Sequence, residues 1–165
     1  MKKELQQKLF KDYPDLFIQK DWTPQQTCMC WGIACGDGWY NIIENLCYLI
    51  SQERNSAVKT IKKYESYIID ELCTPGIVVD HLKISIYKNI IETESKKLKP
   101  AIQFTQIKEK YGTIRVYTNY YDQKIRNHID FAELMSSTTC EVCGAPGVIN
   151  TKSWLKVRCQ KHKDK

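Results

Sequence analysis

The sequence lacks any long apolar run. No stretch of its 165 residues approaches the roughly 18 consecutive apolar residues that a membrane-spanning helix needs. The segment after Met1 is charged and polar, so it lacks the apolar centre of a secretory signal peptide. We therefore expect a cytoplasmic protein with no membrane partner. In that compartment its eight cysteines would serve as thiols and metal ligands rather than as disulfides.

Sequence signatures of common catalytic sites are also missing. There is no Gly-x-Ser-x-Gly elbow, no Walker loop and no His-Glu-x-x-His helix. The His-x-Glu partner that zinc deaminases need is absent as well. These absences argue against an enzyme, and a nuclease or phosphodiesterase stays open as the weaker alternative.

Composition is that of an ordinary folded domain with a moderate positive charge. Hydrophobic residues make up 42%, charged residues 27%, and the formal net charge is +6. The chain is long enough for one compact domain and a small appendage. A net positive charge of this size permits binding to phosphates or nucleic acid but does not require it.

Near the C-terminus, one group of residues has the spacing of a metal site. Two cysteines separated by two residues are followed, after fifteen residues, by a Cys-x2-His pair: Cys140, Cys143, Cys159 and His162. Three thiolates and an imidazole can complete a tetrahedral zinc shell and leave no position for water, so the spacing predicts a structural zinc. Short strands at 148–149 and 154–157 would complete a zinc ribbon.

Hydrophobic periodicity indicates an α+β fold in which helices pack on a small antiparallel hairpin, followed by the ribbon. We expect a core domain over 1–136 and a zinc-ribbon tail over 137–165. The hairpin spans 101–119, with Tyr111-Gly112 as its turn. Predicted helices cover 3–12, 39–53, 56–73 and 122–136. Residues 77–98 leave two structures open: Ile84, Ile86 and Tyr87 favour a strand, whereas the spacing of Ile86, Ile90 and Glu94 favours a helix over 80–97.

The outward side of this hairpin is the most suggestive binding surface. With the turn at Tyr111-Gly112, Lys108 pairs with Arg115 and Lys110 with Thr113. Cations on rigid strands can hold phosphates and a tyrosine ring can stack on a base, although lysines are also common on solvated strands. We call Lys108, Lys110, Tyr111, Arg115 and Tyr117 the hairpin face.

A second candidate lies in the Trp- and Cys-rich segment before the second helix. Trp31 and Trp39 can form an aromatic wall, with Asp37 accepting a hydrogen bond from a ribose hydroxyl or a base amine. The alternative is that these aromatics cover the core and that residues 36–38 form a turn. A second metal site at Cys28, Cys30 and Cys35 would need a fourth ligand, for which His81 and His128 are candidates.

Three blocks together resemble a family of small proteins encoded by tailed bacteriophages and prophages. They are Gly32–Tyr40, Ile107–Tyr117 and Ala132–Gly147, followed by the terminal Cys-x2-His. The resemblance covers 14–50 and 100–162 and leaves 51–99 as a variable helical insert. It implies an accessory protein acting in the cytoplasm of a bacterial host, without implying any specific biochemical activity.

Two functions compete. In the first, the protein binds a nucleotide-type ligand, such as a cyclic nucleotide or an ADP-ribose-like immune signal, and sequesters it against host defence. In the second, the zinc ribbon and its basic flank bind nucleic acid or a host protein; that flank contains Lys152, Lys156, Arg158, Lys161 and Lys163. The sequence leaves the oligomeric state open, a homo-oligomer included.

Overall fold

The computed structural model describes residues 1–76, 78–98, 101–150 and 154–164. These residues form four α-helices and two separate two-stranded antiparallel sheets. The predicted α+β class is therefore confirmed. The elements are α1 (Lys3–Asp12), α2 (Tyr40–Cys73), α3 (His81–Lys97), β1 (Phe104–Lys110), β2 (Thr113–Thr118), α4 (Gln123–Ser136), β3 (Val148–Asn150) and β4 (Lys156–Arg158).

The chain divides into two compact units. Met1–Ile50 and Ile102–Lys165 form the first, and Ser51–Ala101 forms the second. The first unit holds both sheets, and its buried core includes Phe17, Trp39, Phe104, Ile107 and Ile114, none of them with exposed surface. The cysteine–histidine residues near the C-terminus belong to this unit, together with the hairpin and α4.

The hairpin of β1 and β2 has the predicted turn and register. Lys108 pairs with Arg115 and Lys110 with Thr113. Tyr111 has φ 54° and Gly112 has φ 80°, and positive φ at both central residues is the requirement of a type I′ turn. This backbone region costs a non-glycine residue about 1–2 kcal/mol. Tyr111 is the one non-glycine residue in the described chain that adopts positive φ.

Both edges of the hairpin are covered. Ala34 accepts a hydrogen bond from the Glu109 N–H and donates to the Ile107 carbonyl, each at 2.9 Å. On the opposite edge, the Ser136 hydroxyl of α4 accepts from the Ile114 N–H at 2.9 Å. Covered edges leave fewer backbone groups open to pairing with another chain.

Helix α2 corrects one sequence expectation. Separate helices over 39–53 and 56–73 were predicted, whereas Tyr40–Cys73 is one helix of 34 residues. The intervening Arg54-Asn55-Ser56 is polar but holds no proline or glycine, and such residues lower helix propensity only modestly. No helix in the described part of the chain is both long and apolar enough to cross a membrane.

The remaining helices lie close to their predicted bounds, and two of them begin at an aspartate cap. The Asp80 carboxylate accepts from the N–H groups of Leu82 and Lys83 at the start of α3. Asp122 accepts from the Ile125 N–H at the start of α4. Such caps satisfy backbone donors that the first helical turn leaves open.

The second unit pairs its part of α2 with α3 through aromatic rings. Tyr87 of α3 lies 5.4 Å from Tyr64 and 5.7 Å from Tyr67, between ring centroids. Among the residues of this unit that the structure describes, Ala57 and Ile84 are the buried apolar ones. Tilted ring pairs at these separations add to the stabilisation from area burial.

Candidate metal centre and hairpin face

The predicted metal ligands converge in the structure. Cys140, Cys143, Cys159 and His162 each offer one ligand atom, and these atoms all lie within 4.8 Å of one another. The Cys143 and Cys159 sulfurs are 3.7 Å apart. The His162 Nδ1 is 3.6 Å from the Cys140 sulfur and 3.3 Å from the Cys159 sulfur. The four side chains can therefore bind one metal ion together.

Three of the six separations between ligand atoms match a tetrahedral ion, and the others lie within 4.8 Å. Around a zinc ion with Zn–S of about 2.3 Å and Zn–N of about 2.0–2.1 Å, two sulfurs lie about 3.8 Å apart and a sulfur and a nitrogen about 3.6 Å apart. The observed sulfur–sulfur distance of 3.7 Å and the two sulfur–nitrogen distances of 3.6 and 3.3 Å are close to these values. The donor set and its spacing are therefore compatible with zinc.

The first pair of ligands sits on a tight backbone turn, Cys140–Gly144, which we call the cysteine knuckle. Gly144 has φ 77°, where a side chain would be strained, and its N–H donates to the Cys140 carbonyl at 2.8 Å. Burial disfavours the Cys140 thiolate, but N–H groups of Cys159, Cys143 and Val142, together with His162, outweigh that effect. They lower the pKa of the Cys140 thiol to about 6. These groups favour the ionised form of Cys140, which is the form that binds metal. The pKa of the Cys143 thiol is raised instead, because the lowering effect of the Ala145 backbone is outweighed by desolvation and by the Cys159 and Cys140 sulfurs.

The second pair follows β4. Strands β3 and β4 pair antiparallel, with Ile149 opposite Val157, and the short helical turn Gln160–His162 carries the imidazole back towards the thiols. The predicted strands at 148–149 and 154–157 are thus observed as Val148–Asn150 and Lys156–Arg158. The residues that join these strands, 151–153, lie outside the described residues, and Lys152 of the predicted basic flank is one of them.

The segment Gly36–Trp39, which we call the docking loop, packs against the cysteine knuckle. The Gly38 N–H donates to the Glu141 carbonyl at 2.8 Å, and the Trp39 indole N–H donates to the Thr139 carbonyl at 2.7 Å. A Cβ on Gly38 would lie only 2.2 Å from the Cys140 carbonyl oxygen and 2.4 Å from the Gly144 nitrogen. The glycine is therefore needed for close approach of two backbones.

Glu141 connects three parts of this centre, a role that the sequence analysis missed. One carboxylate oxygen accepts from the Gly36 N–H at 3.0 Å, and the other accepts from Arg158 Nη1 at 2.9 Å. The side chains of Glu141 and Arg158 are only 14% and 10% exposed. The sequence did contain a signal for this pairing. Acidic Glu141 lies between the first two predicted ligands, and basic Arg158 lies directly before the third. This pairing also corrects the assignment of Arg158 to an exposed basic flank, because Arg158 is buried.

The hairpin face divides into a paired cation and two lysines beside aromatic rings. Arg115 Nη1 lies 3.3 Å from a Glu133 carboxylate oxygen and donates to the Thr113 hydroxyl at 2.5 Å. Lys108 Nζ lies 5.5 Å from the centroid of Tyr117, and Lys110 Nζ lies 5.3 Å from that of Tyr111. The structure therefore places all five predicted residues on one hairpin, with Arg115 already held by a carboxylate.

The predicted aromatic wall is not assembled. Trp39 is fully buried in the core, so we leave it out of the proposed ligand surface, whereas Trp31 is 69% exposed. The Asp37 carboxylate accepts from the Lys2 N–H at 2.7 Å and pairs with its ammonium at 3.4 Å. These three side chains thus occupy three different environments.

Among the described residues, the Cys140 cluster is the one group of three or more candidate ligands that can hold a metal. Cys28, Cys30 and Cys35 do not form a second one. The Cys30 thiol donates to the Thr27 carbonyl at 3.1 Å, and burial raises the pKa of the Cys35 thiol to about 12. A thiol with that pKa is a poor metal ligand at neutral pH.

Comparison with protein-family models, with curated proteins and with solved structures gives no match to this chain.

Proposed function

We propose that this chain is a zinc-stabilised binding protein without catalytic activity that holds a nucleotide-type ligand on the hairpin face. The resemblance to phage-encoded proteins supports a role in the cytoplasm of a bacterial host. There the protein would sequester a cyclic-nucleotide or ADP-ribose-like immune signal.

Zinc is the metal we assign to the Cys140 cluster, and we assign β3, β4 and the cysteine knuckle to a zinc ribbon. Three thiolates with one imidazole form a soft donor set that suits zinc. Such a set fills all four tetrahedral positions, so the metal stabilises the fold and is not available to activate water. The zinc would hold the knuckle against the docking loop.

The lysine pair Lys108 and Lys110 is the observation that carries the proposed ligand site. Within the described residues, neither ammonium has a carboxylate partner, and each lies over a tyrosine ring. Arg115, the third cation, is held by Glu133 instead. A free ammonium beside an exposed ring offers both a charge for phosphate and a flat surface for a base.

Binding would combine these two contacts on a rigid support. Both lysines point from β1, whose backbone is hydrogen-bonded to β2 on one side and to Ala34 on the other. Lys108 and Lys110 would hold phosphate oxygens, and Tyr111 and Tyr117 would stack on the base. Because the strands are already ordered, the backbone would lose little further entropy on binding, and the entropy cost would be confined to the side chains.

Isothermal titration with a cyclic dinucleotide and with ADP-ribose tests this function. Lys108→Gln with Lys110→Gln removes two charges and should weaken binding by at least tenfold. Lys62→Gln with Lys63→Gln is the matched control, since Lys63 also lies over a tyrosine, 5.5 Å from the Tyr67 centroid. Equal affinity in both double variants, or no binding by the unmodified protein, would overturn the proposal.

A second candidate is a regulator that binds nucleic acid or a host protein through the zinc ribbon. The favouring observation is the exposure of apolar side chains on β3 and beside β4: Val148 is 76% and Trp154 70% exposed. Lys156, Lys161 and Lys163 provide positive charge nearby in sequence. Affinity that falls steeply with salt would favour a nucleic-acid partner.

A further inference from the structure

The hairpin turn displays an aromatic ring at a backbone position that disfavours it. Tyr111 adopts φ 54°, where asparagine or glycine is the usual residue. Its side chain is 64% exposed, so burial does not offset the strain. The Lys110 ammonium lies 5.3 Å from the centroid of its ring. Strained residues that the fold does not require are often functional.

A second exposed ring lies on the adjoining backbone. A Cβ on Gly112 would lie 3.3 Å from the carbonyl carbon and oxygen of Leu155 and from the Lys156 nitrogen. The hairpin turn therefore touches the segment that leads into β4. Trp154 immediately precedes Leu155 and is 70% exposed. Two solvent-facing rings thus extend from neighbouring backbone segments.

Positive side chains accompany these rings. Lys108 and Lys110 belong to the hairpin, and Lys156 lies on the segment that Gly112 touches. Glu109 of β1 also carries a carboxylate near the turn, and this carboxylate accepts a hydrogen bond from the Gly112 N–H at 2.7 Å. The surface therefore combines cations for a phosphate chain with flat apolar rings, the two features used by proteins that bind single strands.

We propose that Tyr111 and Trp154 form a stacking platform for successive bases of a single-stranded nucleic acid, whose phosphates lie along Lys108, Lys110 and Lys156. This inference rests on the proposed function of the hairpin face and extends its ligand from one nucleotide to a strand. A strand can contact both rings at once, whereas a single base covers one of them.

Fluorescence anisotropy with 5′-fluorescein-labelled dT12 and U12 tests the platform. Tyr111→Asn removes the ring and supplies the residue that a type I′ turn prefers, so this variant should fold at least as well as the unmodified chain. It should bind at least fivefold more weakly, as should Trp154→Ala. Tyr111→Phe keeps the ring and should retain affinity. Tyr48→Ala, which removes a ring that is 52% exposed on α2, is the control outside the platform.

Salt titration gives an independent readout. Contacts between three lysines and phosphates predict a slope of about −2 for log K against log salt on a single strand, and Lys110→Gln should reduce its magnitude by about 0.7. A slope near zero would contradict the phosphate contacts.

The outcomes separate this inference from the proposed function. Oligonucleotide binding that is lost in Tyr111→Asn and Trp154→Ala supports the platform. Binding of a cyclic dinucleotide but of neither oligonucleotide overturns the platform and leaves the proposed function standing. Oligonucleotide affinity that is unchanged in both variants also overturns it. Failure to bind any of these probes overturns both proposals.

Discussion

The backbone N–H of Gly38 donates to the carbonyl of Glu141 at 2.8 Å. This bond joins the docking loop to the cysteine knuckle, two segments about a hundred residues apart. The cysteine knuckle carries two of the candidate ligands, and it packs against the docking loop, which supplies no ligand. The positions of Gly36, Gly38 and Trp39 are therefore linked to the stability of the site.

Gly38→Ala should destabilise the protein and weaken metal binding. The added methyl group would lie 2.2–2.6 Å from three backbone atoms of the knuckle, and such overpacking typically costs about 1–3 kcal/mol. Urea unfolding and competition with a zinc-binding dye measure the two effects. Gly76→Ala is the comparison: its Cβ meets nothing within 4 Å, although φ is +81°, so stability should fall slightly and metal affinity should not change.

Glu141→Ala should be strongly destabilising. It leaves Arg158 buried without this carboxylate, and breaking a buried ion pair costs about 3–5 kcal/mol. The control is Glu92→Ala, which breaks a solvent-exposed pair with Lys96 at 2.8 Å and should leave the free energy of unfolding nearly unchanged, because exposed ion pairs contribute little. Similar effects of the two substitutions in urea melts would contradict the role of Glu141.

Metal removal should loosen the region around Trp39. We expect one zinc per chain by elemental analysis, and a strong chelator should lower the unfolding temperature by about 10 °C or more. Loss of the knuckle would also release the indole N–H from the Thr139 carbonyl and shift tryptophan emission to longer wavelength. Zinc should restore both signals and magnesium should not. A second equivalent of zinc would bring Cys28, Cys30 and Cys35 back into consideration.

Ser136→Ala should cost about 1–3 kcal/mol, because it leaves the buried Ile114 N–H without its acceptor. The neighbouring Ser137→Ala is a matched control, since the Ser137 hydroxyl only donates to the exposed Leu134 carbonyl. Chemical denaturation of the two variants side by side gives the difference. Equal stability would mean that the edge of β2 does not depend on α4.

The cluster of Lys8, Tyr40 and Glu44 should make stability depend on pH. Hydrogen bonds from Tyr40 and then Lys8 lower the pKa of the Glu44 carboxyl below its ordinary 4.5. A lowered native-state pKa contributes stability that is present above the unfolded pKa and is lost as pH falls through the native value. Glu44→Gln should therefore reduce the loss of stability between pH 5 and 3. Identical pH profiles for the variant and the unmodified protein would contradict this.

The features that the sequence predicted best are those encoded by short spacings. The Cys-x2-Cys and Cys-x2-His pairs indicated the cluster, and Tyr111-Gly112 indicated both the turn and the pairing of Lys108 with Arg115. The features it did not predict depend on contacts between distant segments. The opposite charges of Glu141 and Arg158 are visible in the sequence, but only the fold shows that they pair. For Trp39 the sequence allowed both a ligand wall and a place over the core, and only the fold shows that it is buried.

The error in α2 has a different origin. The polar residues at 54–56 were interpreted as a break between helices because the apolar pattern weakens there. Polarity alone does not end a helix when no proline, glycine or capping geometry is present. A weaker apolar stripe indicates more solvent exposure, which is what Arg54, Asn55 and Ser56 show.

The hydrogen bond from Trp39 to Thr139 also has a consequence for synthesis of the chain on the ribosome. The two residues are separated by 100 positions, and translation at about 5–20 residues per second requires about 5–20 s to cover that distance. During this interval the indole has no native acceptor, and the docking loop has no knuckle to contact. The docking loop therefore stays without its native hydrogen-bond partners until the cysteine knuckle has been synthesised and has left the ribosome.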